Sequence, residues 1–322
     1  MSLSHDEKVR YHRAMMRIVR EVGEALRHYK GEITDTGIAK GHEFSTLDDF
    51  AGRQMLATIE RYLPDFNGTV VRELNIKDIH THAHQRRRKS HVIICDELEG
   101  TTNYKRKKSS ENPDGPVNSS VTMAFATDEN LGSIEIGAIY SFFDHGIYSA
   151  FSDGSDSGGM KYLAFRNDKL MDPPSFQDRR GDDARRLIVA GYSNKERRNK
   201  ADVEMALVGS NFRIYDGCRS STNDVLNMIA DNQFDAYIDP RALWPNSGAV
   251  LQAYDIAGVI PVAAGCGFVV SDVYGDRISK YGIESIIPII IARPVIHEEV
   301  LRAIEPVVTG YKGQKIVNMP RA

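Results

Sequence analysis

The apolar run Val92-Ile93-Ile94 passes directly into Cys95-Asp96-Glu97-Leu98-Glu99-Gly100-Thr101-Thr102-Asn103-Tyr104, and this change of character constrains the chain more than any other stretch. A short β-branched run bounded by polar residues reads as a buried strand. Its carboxylates are therefore delivered at a strand end. Carboxylate oxygens placed there suit Mg²⁺, a hard cation that takes few protein ligands and leaves positions for phosphate oxygens and water. Gly100 lets the backbone come close to an anion. If Thr101, Thr102 and Asn103 open a helix, their free N–H groups and the positive end of its dipole face one point, where a phosphate would sit. The expectation is a strand that ends in a metal and phosphate site.

The rest of the chain has to enclose that strand. With 322 residues, 41% of them hydrophobic, it can bury the core of one large domain or of two joined lobes. The net charge of -3 provides no global field that would recruit nucleic acid or a membrane surface. No apolar run approaches the ~20 residues of a membrane span, and no basic-then-apolar leader is present, so a cytoplasmic location is expected. Cys95, Cys218 and Cys266 are the only three cysteines and have no Cys-x-x-Cys spacing, which argues against a disulfide framework and a thiolate zinc site. They read as buried thiols.

Apolar residues recur at Tyr11, Met15, Ile18, Val22, Leu26 and Tyr29, a spacing that predicts an amphipathic helix over His5 to Lys30. A polar loop containing Gly31, Gly37 and Gly41 follows. Ser45 or Thr46 then caps a second helix with Ala51, Met55, Ile59 and Leu63 on its apolar face, and Asp48 and Asp49 favour its N-terminus. Residues 68–74 read as a short strand that ends on Glu73. His80, His82 and His84 alternate along a polar segment and offer a transition-metal site as a minor alternative, beside the basic run Arg86 to Lys89. A second basic run, Lys105 to Lys108, follows the organising motif. The two runs read as solvated charge or as an attraction for an anionic substrate. Strands are expected at Val121–Ala126, Gly137–Phe142 and Gly146–Ala150, the last two joined by a turn at Asp144-His145-Gly146, and the polar stretch 153–159 reads as a loop. The segment Asp172 to Asp183, with two prolines and many charges, marks the expected boundary between lobes 1–180 and 181–322. Beyond it, strands and helices alternate as in an α/β lobe. Ser220-Ser221-Thr222 caps a helix, Phe234–Asp239 is a strand that ends on an acid, and Asp255 begins another helix.

Asp96-Glu97-Leu98-Glu99-Gly100-Thr101-Thr102-Asn103 resembles the Asp-Pro-Ile/Leu-Asp-Gly-Thr-x-Asn signature of the inositol monophosphatase and fructose-1,6-bisphosphatase superfamily, with Glu97 in place of proline and Glu99 in place of the second aspartate. Glu73 matches the first glutamate of its Gly-Glu-Glu strand end, where Leu74 departs from the second. Tyr254-Asp255-Ile256-Ala257-Gly258 resembles Trp-Asp-x-Ala-Ala-Gly, and Ala264 falls near a glutamate of that pattern. Asp239-Pro240-Arg241 resembles the Asp-Leu-Arg of the archaeal-type inositol and fructose phosphatases. The likeness runs from about residue 8 to residue 304.

This resemblance implies an α/β fold, with an α+β N-terminal lobe, layered αβαβα in the manner of the sugar phosphatases. It implies a phosphomonoesterase that uses metal-activated water on an inositol 1-phosphate or fructose 1,6-bisphosphate type of substrate. Two Mg²⁺ are implied, with a third weak site in doubt at Leu74 and Mn²⁺ as a substitute. Glu73, Asp96 and the Leu98 carbonyl would hold one ion, and Asp96, Glu99 and Asp255 the other. Glu73, Thr101 and Asp48 would be catalytic. Gly100, Thr101 and Thr102 would hold phosphate, and Ser221, Asp239 and Arg241 would face the substrate. A homodimer is expected, with neither nucleic acid nor membrane as partner. A relative with weakened catalysis that serves as a binding or regulatory protein is the alternative raised by Glu99, Leu74 and Ala264.

Overall fold

Two large sheets, whose central strands are buried on both faces, set the positions of the polar strand ends. The computed structural model describes residues 3–39, 42–73, 91–113, 115–156, 159–173, 185–190, 197–243 and 250–311. Leu74, the His80–His84 segment, the 86–89 basic run and the lobe boundary near residue 180 lie outside them.

The first helix, α1 (His5–Arg27), is capped by a reciprocal Ser4–Glu7 box, with Glu7 N–H on Ser4 Oγ at 3.4 Å and Ser4 N–H on Glu7 Oε2 at 2.9 Å. It ends three residues before the expected Lys30, where His28 N–H and Nδ1 turn back to the Glu24 carbonyl. Tyr11, Met15, Ile18, Val22 and Leu26 are buried as their spacing requires. The segment expected as a loop after α1 instead forms a hairpin, β1 (Asp35–Ala39) and β2 (His42–Ser45). Helix α2 (Thr46–Tyr62) follows it, with Ser45 as its N-cap.

The larger sheet has the order β3 (Thr69–Arg72), β4 (Val92–Glu99), β5 (Ser120–Ala126), β6 (Ile134–Ser141), β7 (Ile147–Asp156), β8 (Gly159–Arg166) and β9 (Lys169–Leu170). Only β3 and β4 pair in parallel. Of the expected loop at 153–159, residues 153–156 belong to β7 and Gly159 to β8, which pair across a register shift between Ser152 and Ser155. Helix α3 (Thr101–Lys108) leaves the end of β4.

The smaller sheet has the order β11 (Phe212–Asp216), β10 (Arg185–Val189), β12 (Ala236–Asp239), β14 (Ile289–Ala292) and β13 (Val269–Asp272). The remaining helices are α4 (Arg197–Gly209), α5 (Ser221–Asp231), α6 (Ala253–Ile256), α7 (Val259–Gly265) and α8 (Pro294–Tyr311).

Strand alternation divides the core into three layers of side chains. Ile93 joins Met15, Ile18 and Met55 beneath α1 and α2. Its neighbour Ile94 points the other way, to Val225, Ile256 and Val262 of α5, α6 and α7, which also receive Ile188 and Tyr237 of the smaller sheet. Leu187 and Ile238 face outward to Val203 and Leu207 of α4 and to Val300 and Ile304 of α8. The order is thus α1/α2, large sheet, α5/α6/α7, small sheet, α4/α8, the αβαβα layering expected. Each buried aliphatic side chain contributes roughly 1.5–3 kcal/mol to this arrangement, which sets the end of β4 opposite the N-termini of α5 and α6.

Candidate active site

Every residue of β4 is buried, including the carboxylates of Asp96, Glu97 and Glu99. The ladder to β5 shifts between Asp96 and Glu99, a bulge that turns the strand end out of regular pairing. Leu98 N–H donates to Asp96 Oδ1 at 3.0 Å and fixes that carboxylate at the bend. Gly100 then takes φ 78°, ψ 33°, in the left-handed region, and caps α3. The Gly100 carbonyl accepts from Asn103 N–H at 2.9 Å and from Ser119 Oγ at 2.8 Å. The first N–H groups of α3 face outward from this turn, as helix geometry requires. No acid occupies the first turn, whereas Lys105, Arg106, Lys107 and Lys108 fill the last, where they complement the dipole.

Asp48 bonds both to the cap of α2 and toward the end of β4. Its Oδ2 accepts from Ser45 N–H and Ser45 Oγ, both at 2.7 Å, which closes the cap of α2. Its Oδ1 accepts from Thr101 Oγ1 at 3.0 Å, and the same hydroxyl lies 2.8 Å from the Leu98 carbonyl oxygen. Asp48, and not Asp49, therefore joins the β4 end. Glu73 follows the last residue of β3 and is half-buried.

Asp255 sits in the first turn of α6. Gln252 N–H donates to its Oδ2 at 2.8 Å, and Thr222 Oγ1 reaches its carbonyl at 2.7 Å. Glu99 crosses to the start of α5, where it accepts from Ser221 N–H at 2.7 Å and from Ser220 Oγ. Asn223 Nδ2 supports Ser220 Oγ at 2.6 Å.

The electrostatics bind these acids into one group. Burial, then the charges of Asp255, Glu97, Asp48 and Glu99, holds the Glu73 carboxyl well above the usual range. Burial, then Glu73, Asp255, Glu99 and Glu97, does the same to Asp96. Burial and Asp255 push Glu99 up to about 8 against the hydrogen bonds from Ser220 and Ser221. Burial pushes Asp255 up to about 7, against the Gln252 N–H and Arg241. Mutual repulsion among these carboxylates, Asp96 and Glu99 buried and Glu73 and Asp255 half-buried, is what a multivalent cation would relieve. All the donors are hard oxygens, which fits Mg²⁺ better than a transition metal. Among the described residues no three His, Cys, Asp or Glu side chains already stand at ligating spacing.

The neighbouring cations are engaged. Arg241 binds Asp239, with Nε at 2.9 Å from Oδ1, and Asp239 also accepts from Tyr237 OH at 3.2 Å. Asp239 is fully buried and Arg241 nearly so, so both lie beneath the surface rather than on it. Ser221 and Thr222 are likewise buried at the head of α5, whereas Thr102 is exposed. Lys105 pairs with Asp35 at 2.9 Å, and Lys108 donates to the Arg27 carbonyl at 2.6 Å, so these two members of the basic run tie α3 down.

Sequence reasoning missed two contributors. Asn103 Nδ2 bridges the carbonyls of Asn118 (2.8 Å) and Cys218 (2.7 Å), which links α3 to the connection between β11 and α5. The backbone of Gln252 receives Asp255. The signal for the second was its place three residues before an acid at a helix start.

A model of the inositol monophosphatase family matches residues 8–309 of the chain. Among curated proteins none matches in sequence. Solved structures of similar fold include the extragenic suppressor protein SuhB of Bartonella henselae, with 18% identity, a TM-score of 0.65, and coverage of 91% of this chain and 97% of that one. SaIMPase-II bound to inositol monophosphate has 16% identity and a TM-score of 0.65, covering 94% and 97%. An IMPase/NADP phosphatase complexed with Mg²⁺ and phosphate has 18% identity and a TM-score of 0.60, covering 93% and 95%.

Proposed function

Because the chain belongs to the inositol monophosphatase family and is a phosphomonoesterase of that family, we propose that it hydrolyses a small sugar or inositol phosphate with Mg²⁺ as cofactor. The observation that carries this reading is that Glu73 at the end of β3, the acids of β4 and Asp255 of α6 act on one another electrostatically, with Thr101 of the adjoining Gly100–Thr102 turn bonded to Asp48. In the proposal, Glu73, Asp96 and the Leu98 carbonyl hold one ion. Asp96, Asp255 and Glu99 hold a second, Glu99 exchanging its bonds to Ser220 and Ser221. Bound there, Mg²⁺ supplies a nucleophilic water at neutral pH and neutralises the ester oxygens.

The protein's own groups supply the rest. The N–H groups of Gly100, Thr101 and Thr102 cradle the phosphate oxygens, and the α3 dipole adds to their field. Thr101 Oγ1, within hydrogen-bond distance of both Asp48 Oδ1 and the Leu98 carbonyl oxygen, orients the attacking water, as Glu73 does from the end of β3. The cap of α2 holds Asp48 still, so this chain is set before substrate arrives. Ser221 and the Asp239–Arg241 pair, buried beneath the surface, back the site from below rather than touching substrate. The proposal includes a homodimer in the cytoplasm; no helix among the described residues is long and apolar enough to cross a membrane.

The test is phosphate release during Mg²⁺ titration against inositol 1-phosphate, fructose 1,6-bisphosphate and 3′-phosphoadenosine 5′-phosphate. Mg²⁺-dependent turnover of at least one is expected. Release from none, or release unaffected by chelation, refutes the proposal.

A further inference from the structure

Two departures from the family's sequence pattern meet in space. Arg72 stands where the Gly-Glu-Glu strand end has its glycine, and Glu97 where the Asp-Pro signature has proline. In the parallel β3–β4 pair Arg72 lies opposite Cys95, so Glu97 is two residues further along the same face. Arg72 Nε donates to Glu97 Oε1. Both residues are deeply buried, at 4% and 3% exposure.

A third residue completes the arrangement. A Cβ on Gly52 of α2 would collide with Arg72 Nη2, so the missing side chain makes room for the guanidinium. Gly52 lies one turn after Asp48 on the same face of α2. The guanidinium therefore touches each of the three elements that carry Asp48, Glu73 and Asp96, from the side of the sheet opposite Glu73 and Asp96.

A buried ion pair is seldom a net source of stability. Arg72 unpaired would place a fixed positive charge one residue from Glu73, where it would repel a divalent cation. We propose that Glu97 is a positioning residue that masks the charge of Arg72, leaving the acid cluster its full attraction for the cation while Arg72 braces β3, β4 and α2. This inference rests on the metal-dependent phosphatase reading and deepens it.

The test is Mn²⁺ binding without substrate, read from the electron paramagnetic resonance of free Mn²⁺, alongside phosphate release. Glu97→Gln, which leaves Arg72 uncompensated, is expected to weaken Mn²⁺ binding roughly tenfold or more. Arg72→Met/Glu97→Met leaves no charge unpaired, so it is expected to fold and bind Mn²⁺ within about threefold of the parent, while phosphate release falls as the brace is lost. A Glu97→Gln variant that binds Mn²⁺ as the parent does overturns the inference. So does a double variant that loses tenfold in affinity, which decides the matter should Glu97→Gln fail to fold. A parent chain that binds no Mn²⁺ overturns the phosphatase reading and this inference together.

Discussion

Gly100→Ala strikes the turn on which the phosphate cradle depends. The residue has φ 78°, a region that costs an L side chain ~1–2 kcal/mol. Its new Cβ would stand 2.8 Å from the Asn118 carbonyl oxygen and 3.1 Å from Ser119 Oγ and Ser220 Cβ. The closest of these atoms is backbone, and the turn sits between β4 and the head of α5, so the strain is relieved only by moving a strand end. Overpacking of this kind costs about 1–3 kcal/mol, and the two effects sum to roughly 3 kcal/mol. The displaced N–H groups cost more in rate, since a shift of ~1 Å at a positioned group loses about 10²-fold. Gly100→Asn separates the causes: Asn tolerates the left-handed region but carries the same Cβ. It should recover about 1 kcal/mol of stability and little of the rate. Urea unfolding and Mg²⁺-dependent phosphate release measure both. Gly100→Ala with unchanged unfolding midpoint and rate would refute the reasoning.

Asp96→Asn and Asp255→Asn are each expected to lower Mg²⁺-dependent turnover by about 10³-fold or more with no loss of metal-free stability, because each removes a repelled carboxylate; turnover within a few-fold of the parent argues against both assignments. Glu99→Asp shortens the side chain out of reach of Ser220 and Ser221, at a cost of roughly 2 kcal/mol, yet should keep or raise the rate; an inactive variant would show a site rebuilt around the longer side chain. His12 is buried against Ser149 (2.9 Å), and burial pushes its pKa down to about 4. The unfolded chain therefore binds this proton more readily below its ordinary value of 6.5, so the stability His12 contributes is full above pH 6.5 and is lost as pH falls toward 4. Urea midpoints across that window should fall less in His12→Gln than in the parent, and equal slopes would contradict this.

The parts of this molecule that follow from local period were legible in the sequence. Tyr11 to Leu26 recur at helical spacing, and Ile93 and Ile94 divide between two layers because a strand alternates. The β1–β2 pair and the ends of β7 and β8 at Asp156 and Gly159 were not legible. Glycine, serine and aspartate there resemble a loop, and the pairing that holds them comes from partners in space. The site shows the same division. Asp48, Glu73, Asp96 and Asp255 carried local signals as caps and strand ends. The turn of Glu99 toward Ser220, 121 residues away in sequence, and the junction of Arg72 with Glu97 depend on how β3, β4 and α5 come together. No spacing rule encodes that.

The most direct measurement of the central claim is the anomalous scattering of Mn²⁺ in crystals soaked with Mn²⁺ and inorganic phosphate. The account predicts a cation peak within ligating distance of Asp96, shared with Glu73 or Asp255, and phosphate density against the Gly100–Thr102 turn. Cation density elsewhere, with Asp96 and Asp255 left unligated, would contradict it.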